Sequence, residues 1–145
     1  MQITSPAFKN GTPIPDQYTC YGQNKVPPLH LDDVPERARS LALVVEDPDA
    51  PKGTFNHWIL FNIDPGVRDI QEDRVPVMAM QGRNDFGEAH YDGPKPPFGE
   101  HRYFFKAFAL DAMLPLAHGV RRDALDRELK DHVLASAFLV GTYER

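Results

Sequence analysis

HRYFFKAFALD, from His101 to Asp111, is the longest strand-like stretch of the chain and the most aromatic. Side chains on a strand alternate between faces, so His101, Tyr103 and Phe105 share one side while Arg102, Phe104 and Lys106 share the other. An imidazole and a phenol two residues apart therefore point into the same space. Other stretches of the same kind surround this one. Ser40 to Glu46 (SLALVVE) is short and apolar, which suits a strand buried on both faces. His57 to Ile63 (HWILFNI) and Val75 to Gln81 (VPVMAMQ) follow, each bounded by Pro or Gly, and Ala137 to Tyr143 (AFLVGTY) closes the sheet, with Gly141 read as a bulge.

One helix is predicted, from Arg121 to Ala135. Leu125, Leu129 and Val133 recur there on a single helical face with charges opposite, and Asp123 and Asp126 sit near the start, where the helix dipole favours them. The 14 prolines and 10 glycines are spread along most of the chain, which favours short strands and structured loops. The strands are not separated by regular helical crossovers. The expectation is thus a mainly all-β protein, an antiparallel sheet or sandwich rather than a doubly wound α/β fold. The loop from Gly82 to Glu100 is long, and binding residues concentrate in such loops.

At 145 residues, with 41% hydrophobic and 26% charged side chains, one globular domain spanning 1–145 is expected. The formal net charge of −5, with both signs mixed along the chain, argues against nucleic acid or an anionic membrane as the main partner. The lone Cys20 excludes an internal disulfide and a multi-cysteine zinc site, and fits a reducing cytoplasm; it reads as a small buried apolar residue. No signal-peptide pattern opens the chain, and no apolar run approaches the roughly 20 residues that span a bilayer, so no stable membrane anchoring is expected.

Two segments carry candidate chemistry. In EDPDAPKGTFNHW (Glu46 to Trp58), Asp47 and Asp49 flank a proline where a buried strand ends, and His57 opens the next strand after a short Pro/Gly loop. In YDGPKPPFGE (Tyr91 to Glu100), a Gly/Pro loop leads directly into His101 and can present backbone N–H groups to a ligand. Asp47, His57, His101 and Tyr103 are therefore proposed to converge on one pocket. Singly, each has a plainer reading: a turn-forming Asp, a structurally hydrogen-bonded His, a core aromatic. Arg102 reads as a salt-bridge partner, and His30, His90, His118 and His132 as structural or solvent-facing. The same Asp and two His also suit an acid–base set or a two-His-one-carboxylate metal site, the alternative hydrolase or metal-dependent reading. GxSxG, HExxH and GxxxxGK[ST] are all absent, so non-catalytic binding without a cofactor or metal is preferred.

DPDAP followed by NHW and then GPKPPFGEHRY closely resembles the phosphatidylethanolamine-binding protein (Raf kinase inhibitor protein) family, in its bacterial and archaeal branch. The resemblance extends over TSPAF (Thr4 to Phe8), YTCYGQNKVPPL (Tyr18 to Leu29), QGRNDFG (Gln81 to Gly87), ALD (Ala109 to Asp111), HVLA (His132 to Ala135) and the final GTYER. It implies a Greek-key β-sandwich with a large central antiparallel sheet, a smaller sheet and one or two peripheral helices. It also implies a pocket for small anions such as phosphate or phosphoethanolamine-like headgroups, a kinase or protease as protein partner, and a homodimer. By position it assigns the pocket to Asp47, His57, His101 and Tyr103, with Pro51, Gly93, Pro94, Pro96 and Pro97 at the rim. Three residues depart from the branch's usual pattern: Leu31 for Trp, Asp92 for Gly, adding negative charge near the mouth, and Lys95 for Cys, a rim position read as solvent-facing. Asp47 is expected to orient an imidazole, since a carboxylate beside a bound anion repels it.

Overall fold

A computed structural model describes residues 1–145. Its elements, in chain order, are β1 (Gln2–Thr4), β2 (Thr12–Pro13), β3 (Leu29–Asp32), β4 (Ser40–Asp47), β5 (Phe55–Ile63), β6 (Asp69–Ile70), β7 (Met80–Gln81), β8 (Glu100–Leu110), α1 (Arg122–Leu129) and β9 (Val133–Glu144). A six-stranded sheet has the order β2-β9-β8-β4-β5-β7, and a three-stranded sheet the order β1-β3-β6. All pairings are antiparallel except β2 with β9. Within the large sheet, β4, β5 and β7 lie side by side and β8 returns by a long connection to β4, which is a Greek-key order. No helix is long and apolar enough to cross a membrane.

The large sheet is apolar on both faces, and strand alternation explains how. Leu41, Leu43 and Val45 of β4 join Trp58 and Leu60 of β5 and Tyr103, Phe105 and Ala107 of β8 in the core shared with Ile3, Leu29, Leu31 and Ile70 of the small sheet. Ala42 and Val44, with Ile59 and Phe61, face the other way, where Leu125 and Leu129 of α1 cover them. All eight residues of β4 are buried, as a central strand clad on both sides requires. Leu31, in the place of the branch's Trp, is a buried core residue.

Three expectations need correction. Of the stretch Val75 to Gln81, only Met80 and Gln81 pair with β5; Val77 and Met78 are 84% and 86% exposed. Pro76 lacks an N–H for a ladder, and Met78 sits at φ +70, so the chain turns before it can pair. The helix ends at Leu129 rather than Ala135. Val133 pairs with Leu110 and opens β9, because the long register with β8 satisfies more backbone groups than another helical turn. Gly141 is no bulge: the β8–β9 register runs evenly past it, opposite Tyr103. A Cβ there would lie 2.4 Å from the side chain of Ile14, the residue after β2, so its close packing demands glycine.

Candidate functional site

Strands β5, β4 and β8 are neighbours, and at one end of the sheet they bring together the start of β5, the end of β4 and the start of β8. Asp47 pairs with Phe55, and Glu46 lies between Asn56 and Phe104. Simple alternation from Trp58 and Leu60 would send His57 to the helix-covered face. It does not go there, because the β4–β5 register shifts between Val45–Trp58 and Glu46–Asn56, leaving His57 as an extra residue. This β-bulge puts His57 on the inner face beside Trp58, while Glu46 and Asn56 on the outer face hydrogen-bond Arg122. Asp47, His57, His101 and Tyr103 consequently line one cavity of about 180 Å³.

Each side chain in the cavity is held by a specific partner, with one exception. His101 Nδ1 lies 2.7 Å from Asp47 Oδ2, and the Asp49 N–H donates to Asp47 Oδ1 at 2.7 Å. A carboxylate only accepts, so Nδ1 carries the hydrogen and Nε2 of His101 has no protein partner. Asp47 thus orients an imidazole. His57 is 3% exposed, with its ring packed against Phe55, Phe86 and Tyr103 at centroid distances of 5.0, 5.6 and 5.3 Å. Its Nδ1–H donates to the Asp92 carbonyl at 2.8 Å, again leaving Nε2 unpartnered. Burial holds the His57 pKa below its usual value, opposed by that carbonyl and the Asp47 charge, so the ring is neutral near neutral pH.

The exception is Tyr103. It is fully buried, and its hydroxyl has no hydrogen-bond partner in the protein. Burial first, then the nearby Asp47 carboxylate, raises its pKa far above the usual phenol value, so it remains an O–H donor, and Asp47 stands close by without reaching hydrogen-bonding geometry. Leaving such a group unmet costs about 1–3 kcal/mol.

The surrounding loops are pinned. Arg102 forms a two-pronged bond with Asp49, Nε to Oδ2 and NH2 to Oδ1, both at 2.9 Å, and its backbone N–H adds a third. The guanidinium lowers the Asp49 pKa to about 2. Arg102 is the salt-bridge partner its position implied. Asp92 is not at the mouth: Asn24 and Asn84 donate to its two oxygens at 2.8 and 2.9 Å, and this clamp holds the carbonyl that His57 uses.

Among the rim residues, Pro51, Pro96 and Pro97 line the cavity, whereas Gly93 and Pro94 do not. Gly93 packs where a Cβ would meet the Tyr18 carbonyl at 2.0 Å, and Pro94 accepts from the Cys20 N–H, so both anchor the loop from behind. Cys20 is only partly buried; its thiol donates to the Gly93 carbonyl at 3.2 Å. Lys95 is exposed yet also lines the cavity, with Nζ 6.0 Å from the Phe86 ring centroid. Ala50, Phe55 and Phe86 complete the lining. Sequence reasoning missed these three, though all lie within the quoted segments DPDAPKGTFNHW and QGRNDFG. A larger open groove of about 960 Å³ lies elsewhere, among Met78, Met80, Met113 and their neighbours, and contains none of the candidate residues.

Comparison with known proteins agrees with this architecture. The family model described as phosphatidylethanolamine-binding protein matches residues 4–144. A UPF0098 protein of Chlamydia pneumoniae is 47% identical, covering 100% of this chain and 99% of the relative, and one of Methanothermobacter thermautotrophicus is 43% identical with the same coverage. Among solved structures, the putative phosphatidylethanolamine-binding protein homolog CT736 of Chlamydia trachomatis superposes with a TM-score of 0.95 at 44% identity, over 99% of this chain and 97% of that one. YbcL of E. coli does so with a TM-score of 0.93 at 33% identity, over 99% and 98%. With the family's model spanning nearly every residue and two of its solved members sharing both sheets' arrangement, the chain belongs to the phosphatidylethanolamine-binding protein family, in its bacterial and archaeal branch.

Proposed function

We propose that the Asp47–His57–His101–Tyr103 cavity captures a small phosphate-like anion and does not turn it over. The buried Tyr103 hydroxyl carries this reading: it is a donor held in place with no acceptor of the protein in hydrogen-bonding geometry. The volume, about 180 Å³, equals about six waters at ~30 Å³ each, room for a phosphate and a short arm. Tyr103 donates to one ligand oxygen. As an imidazolium, His101 donates from Nε2 to another while Nδ1 stays on Asp47, and such charge-assisted bonds are roughly twice as strong as neutral ones. Neutral His57 offers an Nε2 lone pair, which suits a protonated ligand oxygen. Capture rather than turnover fits the lining, which holds no Ser, Thr or Cys nucleophile and whose only carboxylate is engaged with His101.

Binding on these terms takes up a proton, so affinity rises as pH falls. Calorimetric titration at pH 5.5 and 8 tests this, with sulfate run beside phosphate because its charge is constant over that range. Both anions are expected to bind more tightly at pH 5.5, and His101→Ala is expected to weaken phosphate at least tenfold while the circular dichroism spectrum is unchanged. Equal affinities in a folded His101→Ala protein refute the site.

A further inference from the structure

The charged groups around the cavity do not match a zwitterionic ethanolamine headgroup. An ammonium needs a free carboxylate, and Asp47, the one carboxylate lining the cavity, is already engaged, as are Asp49 and Asp92 in the loops around it. Asp47 accepts from His101 and from the Asp49 N–H. Both oxygens of Asp49 are held by the Arg102 fork. Asp92 is clamped between Asn24 and Asn84. What remains uncommitted at the cavity is a cation. Lys95 lines it, is exposed, and has no carboxylate within ion-pairing distance; its only partner is the face of Phe86, 6.0 Å away. Pro94 and Pro96 flank Lys95 and fix their own φ angles, so the lysine stem leaves a stiff rim rather than a mobile loop.

We infer that this cavity prefers phosphate esters carrying a carboxylate on a short arm, the chemistry of O-phosphoserine, over the corresponding ethanolamine esters, and that Lys95 is the residue that makes the choice. The inference rests on the reading that a phosphate group occupies the cavity. The phosphate engages Tyr103 and His101 at the sheet end, and the arm reaches the Lys95 ammonium at the mouth. Because that ammonium is solvent-exposed, the preference it confers is that of an exposed ion pair, about threefold to fivefold.

Phosphoserine and phosphoethanolamine differ only in the carboxylate, which makes a direct test. Calorimetry on the full chain compares inorganic phosphate, O-phosphoserine and O-phosphoethanolamine, with glycerophosphoserine and glycerophosphoethanolamine as the diester pair that represents a lipid source. The wild type is expected to bind the serine member of at least one pair about threefold to fivefold more tightly, and the pair that shows this names the source as free monoester or lipid headgroup. Lys95→Met is expected to abolish the preference, and Lys95→Glu to reverse it, each ester affinity being taken relative to inorganic phosphate on the same protein. If phosphate binds but neither pair shows a preference, or if the preference survives in Lys95→Met, the inference is overturned and the anion site stands. If phosphate itself does not bind, both fall.

Discussion

The Tyr103 hydroxyl is the one fully buried side-chain polar atom without a hydrogen-bond partner. In a residue kept only for packing, that hydroxyl is a defect, and phenylalanine would serve better. Tyr103→Phe is therefore expected to unfold in urea with a free energy equal to or up to about 1 kcal/mol above wild type. The same variant is expected to bind phosphate several-fold more weakly. A variant that loses stability and keeps its phosphate affinity would make the hydroxyl structural. The pairing of Tyr103 with His101 was legible in the alternation of HRYFFKAFALD, since both residues lie on one regular strand. His57 was not legible in the same way: its inward direction depends on one extra residue in β5, and periodicity cannot reveal a bulge.

At the scale of elements, the turn between β4 and β5 is latched to β8 by Asp49 and Arg102. The latch keeps Asp47 beside His101 and Pro51 at the cavity. Since the Asp49 carboxyl is held at about 2, below its unfolded value near 3.8, its contribution is present above that unfolded value and lost as pH falls toward 2. Hydrogen exchange should show protection of the Asp49 and Gly53 amides, the ones hydrogen-bonded in this turn, persisting at pH 4. Arg102→Ala should lose that protection at any pH, with only a small fall in melting temperature, because the pair is exposed. Protection unchanged in Arg102→Ala would show that the prolines alone hold the turn. Long elements such as β4, β5 and β8 were readable because their apolar patterns are sustained. The short strands β1, β2, β3 and β6 span two to four residues each, too few to establish any period, and exist only because a partner strand pairs with them.

For the whole molecule, the buried His57 couples folding to pH. Its folded pKa lies below the unfolded value of about 6.5, so the unfolded chain binds the extra proton first as pH falls. His57 therefore contributes most above pH 6.5, and stability declines as pH drops from there toward the folded pKa. A bound anion opposes the decline by stabilising the folded form. Melting temperatures from pH 8 to 5 without phosphate should fall for the wild type and fall less steeply for His57→Gln, and added phosphate should raise the wild-type values most at the acid end. A phosphate effect independent of pH would separate binding from histidine charge.

By itself the sequence determined a β-rich fold, the faces of its long strands, the pairing of His101 with Tyr103, and, through the order of its motifs, the family. These are matters of local periodicity and of residue order, which a linear chain displays. Tertiary structure alone decided that Val133 extends a strand rather than a helix, that a bulge turns His57 inward, and that Gly93 and Pro94 stand behind the cavity. It also decided that Asp47, Asp49 and Asp92 are engaged while Lys95 has no ion-pair partner. Each of these depends on which distant segment supplies the hydrogen-bond or charge partner, and that is set only when the strands pair.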